Sequence, residues 1–124
     1  MLLDIISYAS NIYKSIGSSH TEHVYRNALC VEFMLKHISY ESERTIPLEW
    51  KGYHIGVGRA DIIVHPPNHK SIVLELKSVP NIKDAHISQL KSYMKTTNIK
   101  HGCVINFPKP CADDIQFSEY NIED

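Results

Sequence analysis

The apolar residues of this chain recur first with a helical period and then with a period of two, and the change divides the sequence into elements. Ile5, Ile6, Ala9, Ile12, Tyr13 and Ile16 form one stripe, which predicts an amphipathic helix from about Leu3 to Ser15, ended by Gly17-Ser18-Ser19. Val24, Ala28, Val31 and Leu35 recur at four, three and four. They predict a second helix running to about His37, with Thr21 or Ser19 as its cap. Glu22, Tyr25 and Leu29 make a similar stripe on it, with Glu22 in the first turn, where the helix dipole favours a carboxylate.

From Tyr40 the pattern becomes extended. Tyr40 to Trp50 and Tyr53 to His65 read as strands joined by a Lys51-Gly52 turn, an antiparallel hairpin. In the second of them Gly56, Gly58 and Ala60 are small residues at period two, which would let another element approach the backbone. Pro66-Pro67-Asn68 is a turn into a third strand, Ile72 to Val79. There Ile72, Leu74 and Leu76 share one face, and Glu75 and Lys77 the other. After Pro80-Asn81 a third helix runs to about Thr96, with Ile82, His86, Gln89 and Tyr93 on one face and Lys91 and Lys95 roughly opposite. His101 to Phe107 then reads as a buried strand and Ile115 to Tyr120 as a short exposed one. The order is α-α-β-β-β-α-β-β, an α/β fold without internal repeats.

A chain of 124 residues is expected to form a single domain, 1–124, long enough for a real core. Thirteen basic against fourteen acidic residues do not by themselves announce a nucleic-acid binder. The charge is uneven, however: between Lys77 and His101 five lysines face a single acid, Asp84, so that some of Lys83, Lys91, Lys95 and Lys100 are expected to contact phosphates. Three scattered cysteines without a CxxC pair point to reduced thiols and an intracellular protein. The start lacks a basic region before its apolar run, and no stretch approaches transmembrane length. Neither a signal peptide nor a membrane partner is expected.

The chemistry centres on Asp61 and on Glu75-Leu76-Lys77. Two carboxylates can hold a divalent cation that polarises a phosphate and acidifies a bound water, and an ammonium beside them can orient that water or offset developing charge. Taken singly, each residue has an ordinary explanation. Glu75 and Lys77 could be a solvated strand face, Asp61 a partner of Arg59, and Gln89 with Tyr93 a helix surface grading into core. Glu22 could be a dipole partner only or a third acid at the metal. The histidine pairs His20/His23 and His65/His69 lack a second ligand pair and make a weak zinc signal. Trp50 beside Lys51 could stack on a base, but anchoring the turn is the simpler role.

Jointly, Asp61, Glu75-x-Lys77 and Gln89-x-x-x-Tyr93, preceded by an acid on a helix, resemble the active-site pattern of the PD-(D/E)XK nuclease superfamily in its RecB-like branch. More narrowly, Glu22-His-Val-Tyr25, Ala28-Leu29, Arg59-Ala-Asp61, Glu75-Leu-Lys77, Gln89, Tyr93 and Asn106-Phe107 resemble the GxxExxY family. The naming glycine is replaced here by Ser19, although Gly17 stands nearby. The resemblance implies a restriction-endonuclease-like core, a central, mostly antiparallel mixed sheet flanked by helices. It implies Mg²⁺ or Mn²⁺ held by Asp61, Glu75 and the Leu76 carbonyl, with Glu22 acting directly or through water. Lys77 would be the catalytic cation, Gln89 would hold Lys77 or a phosphate, and Tyr93 would pack or orient Gln89. Arg59, His86, Tyr93, Lys91 and Lys95 are candidates for nucleic-acid contact.

The implied activity is metal-dependent hydrolysis of DNA, with RNA or branched DNA as further substrates. The alternative is a catalytically silent binding or assembly module on the same fold. So small a domain has little surface with which to embrace a duplex, which leaves room for a homodimer or larger complex.

Overall fold

Lys51 and Gly52 turn the chain at φ of 49° and 83°, the two consecutive left-handed residues that a tight two-residue hairpin requires. They join β1 (Ser39–Trp50) to β2 (Tyr53–His65). Before this hairpin come α1 (Leu2–Ile16) and α2 (Glu22–Leu35), and after it β3 (Ile72–Lys77), α3 (Asp84–Thr97), β4 (His101–Asn106) and β5 (Gln116–Asn121). The computed structural model describes residues 1–122; Glu123 and Asp124 lie outside the described residues.

The five strands form one mixed sheet in the order β1-β2-β3-β4-β5. Among the described residues only β3 and β4 run parallel, because α3 crosses over between them. Alternation along β3 and β4 feeds two cores. Ile72, Leu74, Leu76, Cys103, Ile105 and Phe107 pack with α1 and α2, whereas Val73 and Val104 pack with Leu90, Tyr93 and Met94 of α3. This is the restriction-endonuclease-like architecture, helices on both faces of a mostly antiparallel sheet.

Two details differ from the sequence pattern. The row Val24, Ala28, Val31, Leu35 is not the buried face of α2: Val31 and Leu35 are 48% and 64% exposed, and Tyr25, Leu29 and Phe33 are fully buried instead. The larger side chains set the rotation of the helix, since aromatic rings remove the most apolar area from water. Tyr25 stacks on Phe107 with centroids 4.2 Å apart and planes 3° from parallel. In addition, α3 starts at Asp84, several residues later than Pro80-Asn81 suggests, and Ile82 packs onto the α3-side core from outside the helix.

Candidate active site

The site forms where β2 leaves β3. Their pairing covers only Ile62–Val64 against Ile72–Leu74. Beyond it the acids take over: the Asp61 amide donates to Glu75 Oε1 at 3.2 Å, and the Leu76 amide donates to Asp61 Oδ2 at 2.7 Å. Each carboxylate thus satisfies a backbone donor that the diverging ladder leaves without a carbonyl partner. On the other side of β2, Glu43 stands opposite Asp61 in the register but drops out of the pairing, with φ at 54°. The alternation of β2 breaks here as well. Ala60 belongs to the α3-side core and Ile62, two residues on, to the α1/α2-side core. Asp61 therefore sits in the irregularity.

On the α3 side a line of hydrogen bonds leads to Lys77. Its ammonium donates to Gln89 Oε1 at 3.4 Å, Gln89 Nε2 donates to the Tyr93 hydroxyl at 3.1 Å, and the Arg59 amide donates to the same hydroxyl at 3.2 Å. Gly58 makes room for this ring: a Cβ there would lie 2.6 Å from Tyr93 Cε1. Tyr93, an expected nucleic-acid contact, is only 6% exposed. Its hydroxyl ties α3 to β2. Arg59 turns to Glu43 (3.7 Å) rather than to Asp61. His86, in the first turn of α3, accepts the Lys83 amide at its Nδ1 (3.1 Å); partial burial and the Lys77 and Lys83 charges lower its pKa.

From the opposite side α2 brings Glu22 close enough for its charge to act on both Asp61 and His86. Thr21 occupies the N-cap position, but its hydroxyl bonds His23 Nδ1 at 2.8 Å in place of a backbone amide. Tyr25, one turn after Glu22, is a strut: besides stacking on Phe107 it donates to the Gly17 carbonyl at 2.6 Å. Asn106 is buried, and its amide is bonded both ways to Val79 (3.0 and 2.9 Å), which fixes the chain just beyond Lys77. Tyr25, Asn106 and Phe107 thus hold the site without lining it.

Burial first, and then the Asp61 charge, push the Glu75 carboxyl up to about 8. Burial also raises Asp61, against the Leu76 amide and the Lys77 charge, which favour its ionised form. Near neutral pH the pair keeps a proton. Adjoining carboxylates that cannot both ionise without a counter-charge suit a hard divalent cation. Mg²⁺ in particular is commonly bound by one or two carboxylates, with water and substrate phosphate completing its shell. Among the described residues no group of three or more His, Cys, Asp or Glu is gathered as a metal-ion site. His65 is bonded to Glu41 and Ser71, and His20 to the Ile16 carbonyl.

A cleft of about 380 Å³ opens beside Asp61, with Glu22, Arg26, Leu76, Ser78 and Lys109 among its walls. Glu75, 2% exposed, does not line it. Lys91 and Lys95 flank another hollow, near β5, where the Lys91 ammonium lies 4.8 Å from the Tyr120 ring centroid. Trp50 at the hairpin tip is 65% exposed, with the Lys51 ammonium over its ring at 5.5 Å. Two residues of the site escape a reading of the sequence, Arg26 and Glu43. Arg26 was accessible as the residue one helical turn after Glu22 on the same face. Glu43 carries no local signal.

The chain belongs to the PD-(D/E)XK nuclease superfamily, whose sequence model matches residues 1–117. Among solved structures, the crystal structure of SSO0001 is similar, with a TM-score of 0.57 and 25% sequence identity over 81% of this chain. The match covers 50% of that protein, so the chain spans half its length. No curated protein matches.

Proposed function

We propose that this chain is a nuclease of the GxxExxY branch that hydrolyses phosphodiester bonds of DNA with Mg²⁺ or Mn²⁺. The observation that carries the reading is the meeting of Asp61 and Glu75 at the strand gap, each bonded to the other strand's backbone, with Lys77 held alongside by Gln89. Asp61, Glu75 and the Leu76 carbonyl would hold the cation, and Glu22 would reach it through water. Once bound, such an ion polarises the scissile phosphate and lowers the pKa of a water. Glu75, whose carboxyl pKa is raised by burial, would give up its proton on holding the cation. Lys77 offsets the charge that develops on the phosphoryl oxygens, and Gln89, fixed by Tyr93, keeps the ammonium in place.

The test is cleavage of single-stranded, duplex, flapped and branched DNA, and of RNA, with Mg²⁺ or Mn²⁺ and then with chelator. Chelator-sensitive cleavage that Asp61→Ala abolishes is the expected result. The burial of Glu75 away from the cleft favours a second reading, a catalytically silent binding module. Binding of these substrates without cleavage of any would establish it.

A further inference from the structure

Arg26 has no role in the chemistry above, yet it is placed as a working residue. Its side chain is 18% exposed, and its Nη1 donates to Glu43 Oε1 at 3.0 Å. Glu43 is held for this with a left-handed backbone opposite Asp61, a conformation that a glutamate adopts only where the surroundings impose it. One carboxylate serves two arginines, since Arg59 Nη1 lies 3.7 Å from the same oxygen. The Arg26 Nε is moreover buried with no hydrogen-bond partner among the described residues. Its charge acts on Asp61. Ser78 and the exposed Lys109 line the same cleft as Arg26.

A half-buried guanidinium with spare donors, an ammonium and a hydroxyl around one opening suit an anion with several oxygens, and Arg prefers phosphate because its planar fork matches two of them. Asp61 and Glu22 line the same cleft, so an anion there is held by its contacts with Arg26 and Lys109 against their repulsion. We propose that the part of the cleft lined by Arg26 and Lys109 is a subsite for a backbone phosphate of the bound strand, flanking the one attacked, with Arg26 as its principal ligand and Glu43 as the residue that positions it. The proposal rests on the nuclease reading for the identity of the ligand, a phosphodiester.

The test uses the intact chain with Ca²⁺ in place of Mg²⁺, so that strands stay uncut. Affinity for a labelled duplex is followed by fluorescence anisotropy across a salt series, and the Arg26 Nε–H resonance, assigned by its loss in Arg26→Lys, is followed by NMR as a dinucleoside monophosphate is added. Arg26→Gln should weaken duplex binding about tenfold and make the salt slope shallower by about one. Arg26→Lys should keep the slope but not the full affinity. The wild-type Nε–H signal should shift saturably. If the duplex binds and Arg26→Gln keeps wild-type affinity and slope, the subsite is wrong and the nuclease reading stands. If the wild-type chain neither binds nor cuts any nucleic acid, the nuclease reading fails, and the dinucleotide decides the subsite alone: a saturable shift upholds it, a stationary signal overturns it. Should Arg26→Gln fail to fold, Lys109→Gln carries the same slope test at an exposed position, and an unchanged slope there counts against the proposal.

Discussion

Asp61 and Glu75 do two jobs with the same atoms, closing a gap in backbone pairing and presenting negative charge, and the two can be separated by substitution. Asp61→Ala, Glu75→Ala and Lys77→Ala are each expected to lower kcat about 100-fold or more, as measured on whichever substrate the wild type cleaves. Glu75→Gln separates charge from shape. The carboxyl is raised from an ordinary 4.5 to about 8 in the folded chain, so between these values the folded state holds more protons than the unfolded state. Its contribution to stability is full below about pH 4.5 and is lost as pH rises towards 8. The metal-free wild type should therefore lose stability over this window, whereas Glu75→Gln should not. By pH 8 the variant should melt a few °C higher, with the difference shrinking at pH 5. A melting difference independent of pH would show that the burial of Glu75 is not electrostatically costly.

At the scale of elements, the site depends on how closely α3 lies against β2. A methyl at Gly58 would fall 2.6 Å from Tyr93 Cε1 and 2.9 Å from its hydroxyl oxygen, whereas one at Gly56 meets nothing within 4 Å. Gly58→Ala is expected to cost about 1–3 kcal/mol in denaturant unfolding. It should also lower activity by loosening the Tyr93–Gln89–Lys77 line. Gly56→Ala should be neutral or slightly stabilising, and equal effects at the two positions would refute the packing argument. The small-residue rhythm of β2 was visible in the sequence, but which glycine matters was not, because that depends on where the Tyr93 ring comes to rest. The rotation of α2 was hidden for a related reason. Its two candidate apolar rows differ by about one residue, or 100°, and the choice falls to Tyr25 because Phe107, eighty-two residues later, offers it a flat partner.

For the whole molecule, a cation that binds only the folded state raises stability by mass action, about 2.7 kcal/mol at a hundredfold excess over Kd. Mg²⁺ or Mn²⁺ should raise the Tm of the wild type and leave Asp61→Ala unmoved, more so at pH 8 than at pH 5, because the cation must displace the carboxyl proton. Lys91 and Lys95 face the β5 hollow, away from the acids. Replacing both with Gln should leave the salt slope of duplex binding unchanged, and a shallower slope would mean that nucleic acid wraps around α3.

The order of the elements, the strand that carries Glu75 and Lys77, and the spacing of Gln89 and Tyr93 could all be read from the chain itself, because periods of two and 3.6 are local properties of the backbone. No local property separates a solvated Glu75/Lys77 pair from one at a buried site. That distinction arises only when β2 diverges from β3 and each acid takes up an amide left over by the other strand. The pairing of Arg26 with Glu43, the left-handed residue opposite Asp61, belongs to the same class. Such contacts join residues far apart in sequence across an irregularity in the sheet, so tertiary structure alone decided them.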